Sequence, residues 1–486
     1  MRGIQYSDFM KLSKLIEGIN DIRVEKFRDV EITSVTADSD RCRAGSVFVA
    51  VCGSHFNGND FIESAFERGA RVFVTSEKTE LKQDGVIIYS KNARKTLAEM
   101  CANLNGNPEK KLLFVGITGT KGKTSTACFL SCMLSGVGVK NVVVGTLGIR
   151  GDFFAETKNT TPDPTVLFPL FRNVYRRGIK VVIIEVSSQA LKDYRVYGIP
   201  FDCVVFTGIG RDHIGEFEHP TFSDYLSSKR SLFSSYGAKR AVINEDDSYS
   251  MYMSADIPRV QKCGFSSKSD YLINDFSDSI GGSEFKINGV SVVCPLPGVY
   301  NARNVTLALA AAKEITGYSV SRLSKHISSA IVPGRFDYID LSGKNIVIDY
   351  AHNKESVTEI INLSKRLFGN KIICVFGSVG ERSYPRRREL ACVAEKLADF
   401  SVITSDNPGF EFPLSICADI YAEYKDKTKA KIITDRESAI CYAINEAKIG
   451  DAVLILGKGH ETFININGKR IPFSDAGVID KMRGEK

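Results

Sequence analysis

Residues 114–126 read FVGITGTKGKTST, an apolar run that breaks into two glycines and a lysine before the pattern turns helical. The stretch predicts a strand, a tight loop and a helix start. Gly119 and Gly122 let the loop N–H groups close on an anion at the positive end of the helix that follows, with Thr120, Lys121 and Ser125 in the same loop and first turn. Lys123 would reach the outer phosphates of a nucleotide triphosphate, and Thr124 would hold a divalent cation. The spacing is the short TGTxGKT form, because a glycine five positions before Gly122 would fall on Ile117. A plain glycine-rich turn is the alternative, and a Lys-Thr pair directly after two spaced glycines disfavours it.

Outward from this loop, apolar strands alternate with helical patterns at 113–117, 141–145, 180–185, 203–207 and 241–244. That alternation argues a mostly parallel sheet wrapped by helices. A turn cluster at 332–335 precedes a second series at 345–349, 371–377, 400–404, 431–434 and 452–456. Before the loop, short strands at 47–51 and 72–75 flank one helical stretch at 61–68, and the polar NGNPEKK of 105–111 reads as a linker. The expected class is α/β in three domains, 1–105, 106–331 and 332–486.

With 486 residues the chain exceeds one core, and a net charge of +7 spread over 64 basic and 57 acidic residues makes no nucleic-acid stripe. The densest basic run, Arg386 to Arg388, suits a polyanionic small substrate. Twelve cysteines without a C-x-x-C pair predict small buried apolar residues in a reducing cytosol; Cys128 and Cys132 fall one helical turn apart. No signal core and no membrane-length apolar run are visible. A soluble, cytoplasmic, monomeric protein is expected.

EVSSQALKDYRV puts Glu185 at the C-terminal end of a strand, where open parallel sheets bind ligands and a carboxylate could hold magnesium. The next strand leads into GIGRDHIGEFEHPTF, so Asp212 and His213 follow a second strand end. A lone loop histidine is more often a surface or core residue, and Lys229 in YLSSKRSLF would by default be solvated on its helix. The company of the loop and Glu185 turns both toward a site.

TGTKGKT, NTTP, EVSSQ, DH, the Lys229 segment, LPGVYNARN, PGRFD, DYAHN, DNPG, DRESAI and GKGHE stand here in the order found in Mur ligases, which the chain resembles over essentially its whole length. The resemblance implies an ATP- and magnesium-dependent ligase that adds the third amino acid to UDP-N-acetylmuramoyl-L-alanyl-D-glutamate during cell-wall precursor synthesis. Its implied domains are a small uridine-nucleotide domain, a central ATP domain and a Rossmann-like domain for the incoming amino acid. ATP would phosphorylate a glutamate carboxylate, and an amine would then attack the acyl phosphate. Lys123, Glu185, His213 and Lys229 would be catalytic; Thr124 and Glu185 would hold one magnesium, with His213 and a carbamylated Lys229 holding a second. Asn301 would contact adenine, helix capping being the alternative for it and for Asn304, while Arg335 and Asp349 would close over ATP. Ser39, His55, Asn57 and Gly58 would take the uridine nucleotide, with Asn159, Thr160, Thr161, Ser187 and Arg195 on the muramoyl dipeptide. Departures from the pattern are Asp40 after Asp38 and Ser39, Gly208 after Thr207, and Gly215 in place of an acid.

For the amine, Arg387, Asp406, Asn407, Gly457 and Glu461 are the implied contacts. Diaminopimelate-adding members carry arginine where Gly409 stands, so a distal carboxylate would lack its bidentate partner. Asp406 and Glu461 make that end acidic, which suits an ammonium, and Arg387 would be available for the near carboxylate. L-Lysine is therefore expected, with ornithine next and meso-diaminopimelate the alternative that GKGHE shares. A ligase like folylpolyglutamate synthase is a rival reading, though it lacks the DNP and GKGHE segments. A non-catalytic nucleotide-binding protein is another, and the intact Lys123, Glu185, His213 and Lys229 argue against it.

Overall fold

Strand Leu113–Thr118 is buried from its second residue on and paired in parallel along both edges, to Val181–Glu185 and to Phe201–Phe206. A strand enclosed in this way carries a continuous apolar run instead of an alternation. The computed structural model describes residues 9–53, 56–79, 84–211, 214–215, 219–381 and 384–484. They pack as two units, Met1–Leu272 with Arg303–His326 and Ile273–Ala302 with Ile327–Lys486.

In the first unit the sheet order is Gly148–Gly151, Asn141–Gly145, Val181–Glu185, Leu113–Thr118, Phe201–Phe206, Arg240–Asn244 and Arg259–Gly264, antiparallel only at the first pairing. Helix Lys123–Gly136 packs on this sheet, and so ends the phosphate-type loop against it. Helix Pro164–Arg176 buries Leu167, Phe168, Leu170, Phe171 and Val174, an i, i+3, i+4, i+7 stripe. Phe171 meets Phe114 edge-to-face at 4.9 Å, worth about 1 kcal/mol beyond area burial. A second, five-stranded sheet of the same unit runs Ile22–Glu25, Val86–Ser90, Val72–Thr75, Ser46–Val49 and Ser34–Thr36.

Helix Ala93–Leu104 packs on helix Pro164–Arg176, so one apolar cluster runs from Leu12 to Ile257. Only 61–68 is expected as helix before residue 105, and this longer one escapes because its opening, KNARKT, is polar. Asn92 starts it by accepting from the N–H groups of Arg94 and Lys95 at 3.1 and 3.2 Å.

The second unit holds a six-stranded sheet, Asp337–Leu341, Lys344–Asp349, Ala452–Leu456, Ile372–Phe376, Phe400–Ile403 and Ala430–Ile432, parallel after its first pairing. Strand Tyr271–Ser279 enters this unit and pairs antiparallel with Gly282–Ile287, which pairs with Val290–Cys294. The meander is absent from the sequence reading because its outward face is polar. None of the twelve cysteines is in a disulfide. The expectation of burial holds for seven, whereas Cys52 and Cys392 are exposed and Cys128, Cys132 and Cys441 half-buried.

Candidate active site

The loop after Leu113–Thr118 approaches its neighbours too closely for side chains. A Cβ on Gly119 would lie 2.0 Å from Thr207 Oγ1, and one on Gly122 would lie 2.4 Å from Asn304 Oδ1; both residues have positive φ, 152° and 81°. Three bonds fix the loop. Thr120 N–H donates to Gly208 O at 2.9 Å, Thr120 Oγ1 meets the Tyr225 hydroxyl at 2.9 Å, and Thr207 Oγ1 donates to Lys121 O. Lys123 Nζ donates to Gly119 O and Thr120 O at 2.8 and 3.1 Å, which keeps the ammonium over the loop, and Ser125 is buried in the first turn.

Glu185, 1% exposed, ends its strand with a carboxylate wrapped by donors. Thr124 Oγ1 donates to it at 2.8 Å, Thr146 N–H at 3.1 Å and Thr146 Oγ1 at 3.2 Å. Thr124 and Glu185, expected from sequence to share one magnesium, are thus neighbours; Thr146 was missed, although VVVGT also ends a parallel strand at this edge. A carboxylate and two hydroxyls are hard oxygen donors, a set that fits magnesium. Among the described residues no three His, Cys, Asp or Glu side chains gather, so a cation here would rely on Glu185.

Lys229 is also 1% exposed; its Nζ donates to Gly119 O at 2.9 Å and lies 4.7 Å from the centre of the Tyr225 ring. Buried beside Tyr225, His219 shares a 2.6 Å bond between Nδ1 and Asp224 Oδ2, and its Nε2 has no hydrogen-bond partner among the described residues. Desolvation holds this imidazole below its ordinary pKa of 6.5, against the pull of Asp224. His213, with Asp212, lies outside the described residues.

Thr160 and Thr161 come to the same edge. Thr160 Oγ1 lies 3.2 Å from Thr146 Oγ1, and Thr161 Oγ1 donates to Glu185 O at 2.7 Å and accepts from Ser187 N–H at 3.1 Å. Ser187 caps the short helix Ser188–Lys192, while Asn159 is exposed. Arg195 donates to Thr161 O at 3.2 Å and pairs with Asp193 at 3.0 Å and Asp163 at 3.3 Å. In the five-stranded region, Ser39 opens the turn Ser39–Arg41, and Asn57 caps Gly58–Phe61 while donating to Glu77 at 3.3 Å. His55 lies outside the described residues.

In the second unit, Asn301 Nδ2 donates to Pro297 O at 2.8 Å, a bond at its own helix start. Asp349 accepts from the N–H groups of Phe336 and Ala351 at 2.9 and 2.8 Å, and the Arg335 guanidinium stacks 4.8 Å from the Tyr350 ring. Around Asp406, a cation that the sequence reading passed over sits inside the GKGHE motif. Lys458, 0% exposed, donates to Glu461 at 2.7 Å and Asn407 Oδ1 at 3.2 Å, and is 3.9 Å from Asp406. The acidity expected from Asp406 and Glu461 is thus partly neutralised from within. Burial nonetheless raises the Asp406 pKa, opposed by Arg436 and Lys458. Asn407 Nδ2 reaches Glu461 at 2.9 Å, and a Cβ on Gly457 would be 2.7 Å from Asp406 Oδ2. Gly409 adopts φ 61°. Arg387, expected to be available for a carboxylate, instead donates through one terminal nitrogen to Asp419 at 2.6 Å and through the other to Glu411 at 2.6 and 2.8 Å. Its position on helix Tyr384–Leu397 faces those acids, so a substrate carboxylate would compete with both.

Three family models match the chain in succession: the catalytic domain of the Mur ligase family at 31–107, the Mur ligase middle domain at 117–312, and the Mur ligase glutamate ligase domain at 334–459. The UDP-N-acetylmuramoyl-L-alanyl-D-glutamate--2,6-diaminopimelate ligase of Aquifex aeolicus is 35% identical, covering 93% of this chain and 94% of its own. The ligase of the same name from Clostridium perfringens is 32% identical, covering 97% and 99%. Among solved structures, a ligase of that name matches with a TM-score of 0.68 at 26% identity, over 98% of this chain and all of the other. Mycobacterium tuberculosis folylpolyglutamate synthase complexed with ADP matches in fold, with a TM-score of 0.64 at 16% identity over 75% of this chain and 91% of its own.

Proposed function

Because this chain belongs to the Mur ligase family, with its three-domain α/β fold, we propose that it uses ATP to join a diamino acid to the glutamate of UDP-N-acetylmuramoyl-L-alanyl-D-glutamate. Boundaries near 105 and 331 would separate nucleotide-substrate, ATP and amino-acid domains. The observation that carries the reading is the 2.8 Å contact between Thr124 and the buried Glu185, one residue after Lys123.

Lys123 and the loop N–H groups would hold the outer phosphates, an arrangement that works by positioning and charge neutralisation. Glu185 and Thr124 would hold magnesium, which when bound offsets charge on the phosphates. Arg195 and the Thr160–Thr161 pair would align the substrate carboxylate, whose oxygen takes the terminal phosphoryl group. The amine nitrogen then forms the amide bond as phosphate leaves. As an ammonium Lys229 is a donor to Gly119 O; carbamylation would convert it to an oxygen ligand for the second magnesium proposed to involve His213.

For the amine, Gly409 favours L-lysine: at this position the chain presents no guanidinium to a distal carboxylate. The relatives, both 2,6-diaminopimelate ligases by name, favour meso-diaminopimelate instead, and ornithine is the remaining alternative. ADP release measured with the nucleotide substrate and each amine separates these. Release that requires both nucleotide substrate and lysine is expected, and Glu185→Gln should reduce it by about 10²–10³-fold. No ADP with any amine would refute the ligase reading; preference for diaminopimelate would refute only the reading of Gly409.

A further inference from the structure

Cys52, beside the Asn57 assigned above to the uridine nucleotide, is joined to the arginine assigned to the dipeptide through Arg94, which no motif singles out, and through Asp193. Arg94 is the second residue of helix Ala93–Leu104 and is mostly buried. One terminal nitrogen donates to Cys52 O at 2.9 Å, inside the segment that runs on to Asn57; the other lies 3.5 Å from Asp193 Oδ1. Asp193 spends its second oxygen on Arg195 at 3.0 Å and on Gln189 at 3.1 Å. Cys52 Sγ in turn lies 3.4 Å from Asn57 Oδ1.

The surroundings are built to keep this fork in place. Tyr194, between the two charged residues, sits at φ 55°, a left-handed conformation that a bulky side chain rarely adopts. The Lys95 ammonium lies 5.0 and 5.1 Å from the ring centres of Tyr194 and Tyr197, so the residue after Arg94 holds the same strained turn. A planar guanidinium can bridge two acceptors in fixed geometry where an ammonium cannot.

We propose that Arg94 is a positioning residue that sets Asp193, and through it Arg195, by its hold on Cys52, the neighbour of Asn57. The nucleotide end of the substrate and its reacting end are then registered by one side chain that touches neither. Binding energy from the uridine end would thereby be used to orient the carboxylate to be activated. This rests on the substrate assignment proposed above.

Spatial continuity alone is no proof of coupling, so the test is a double-mutant cycle on binding. UDP and UDP-N-acetylmuramoyl-L-alanyl-D-glutamate are titrated into wild type, Arg94→Ala, Arg195→Ala and the double variant. UDP reports the loop alone, whereas the full substrate reports both ends. Arg94→Ala should weaken the full substrate about tenfold more than it weakens UDP, and that excess should vanish once Arg195 is gone. Arg94→Lys should recover only part of the loss. Additive losses, or equal losses for the two ligands, overturn the proposal. Should Arg94→Ala fail to fold, Asp193→Asn takes its place: a loss confined to the full substrate supports the link, and no such loss overturns it. Wild type that binds neither ligand overturns the substrate assignment, and the proposal with it.

Discussion

His219 shows how much a single side chain's surroundings can add to what its sequence position says. Unfolded, its imidazole takes up a proton near pH 6.5; folded, burial delays that uptake to lower pH. In the interval between, the unfolded chain binds more protons, so the contribution of His219 is complete above about pH 6.5 and is lost as pH falls below it. His219→Gln should flatten the acid side of a plot of Tm against pH from 5 to 8. An unchanged slope would show that the histidine does not titrate on unfolding. The residues legible in sequence were those whose chemistry is fixed by spacing: Gly119, Gly122, Lys123 and Thr124, together with Glu185 at a strand end. Lys458 and Thr146 were not, because a buried lysine and a plain threonine take their meaning only from the carboxylates beside them. Arg387 was misjudged for the same reason, its two acidic partners standing 24 and 32 residues away.

At the scale of elements, helix Arg436–Glu446 is pinned by a buried ion pair. Arg436 and Asp475, both 0% exposed, bond at 2.7 and 2.8 Å, and Arg436 also donates to Leu456 O at 3.0 Å, so two helix starts and a strand end meet at one guanidinium. Asp475→Asn keeps the shape but leaves a buried cation without its charge partner. It should cost about 3–5 kcal/mol, read as a lowered denaturant midpoint. A cost within error of zero would mean that water or Asp406 takes over. Many of the parallel strands were read from continuous apolar runs, whereas the parallel strands Val86–Ser90 and Arg259–Gly264, helix Ala93–Leu104 and the meander Tyr271–Cys294 were missed. The helix and the meander carry one polar face each, and in both the periodicity is diluted by charged residues at the start or along the outer edge.

For the molecule as a whole, twelve thiols and no disulfide make stability independent of reductant. Ellman's reagent should modify Cys52 and Cys392 in the native protein and the buried thiols only on unfolding. Rapid native reaction of more than these and the half-buried three would contradict the packing described. Cys52 should be slower than a free thiol, since burial and the neighbouring Glu77 carboxylate raise its pKa. Fold class was legible across the chain because alternating strands and helices leave a periodic record. That Leu12, Val47, Val72 and Leu97 share one core with Phe114 of the phosphate-loop strand was not, since contacts across such distances leave no local signal.

Strand Leu113–Thr118 stands between two partners that follow it by some seventy to ninety residues. During synthesis, then, the loop it carries is translated long before either wall exists. A nascent chain released at residue 180 would carry TGTKGKT with no carboxylate opposite Thr124 and no Thr207 against Gly119, and would bind no nucleotide. Ribosome-stalled chains should acquire protease resistance at the loop only once residue 208 has cleared the exit tunnel, since Thr207 and Gly208 bond to it.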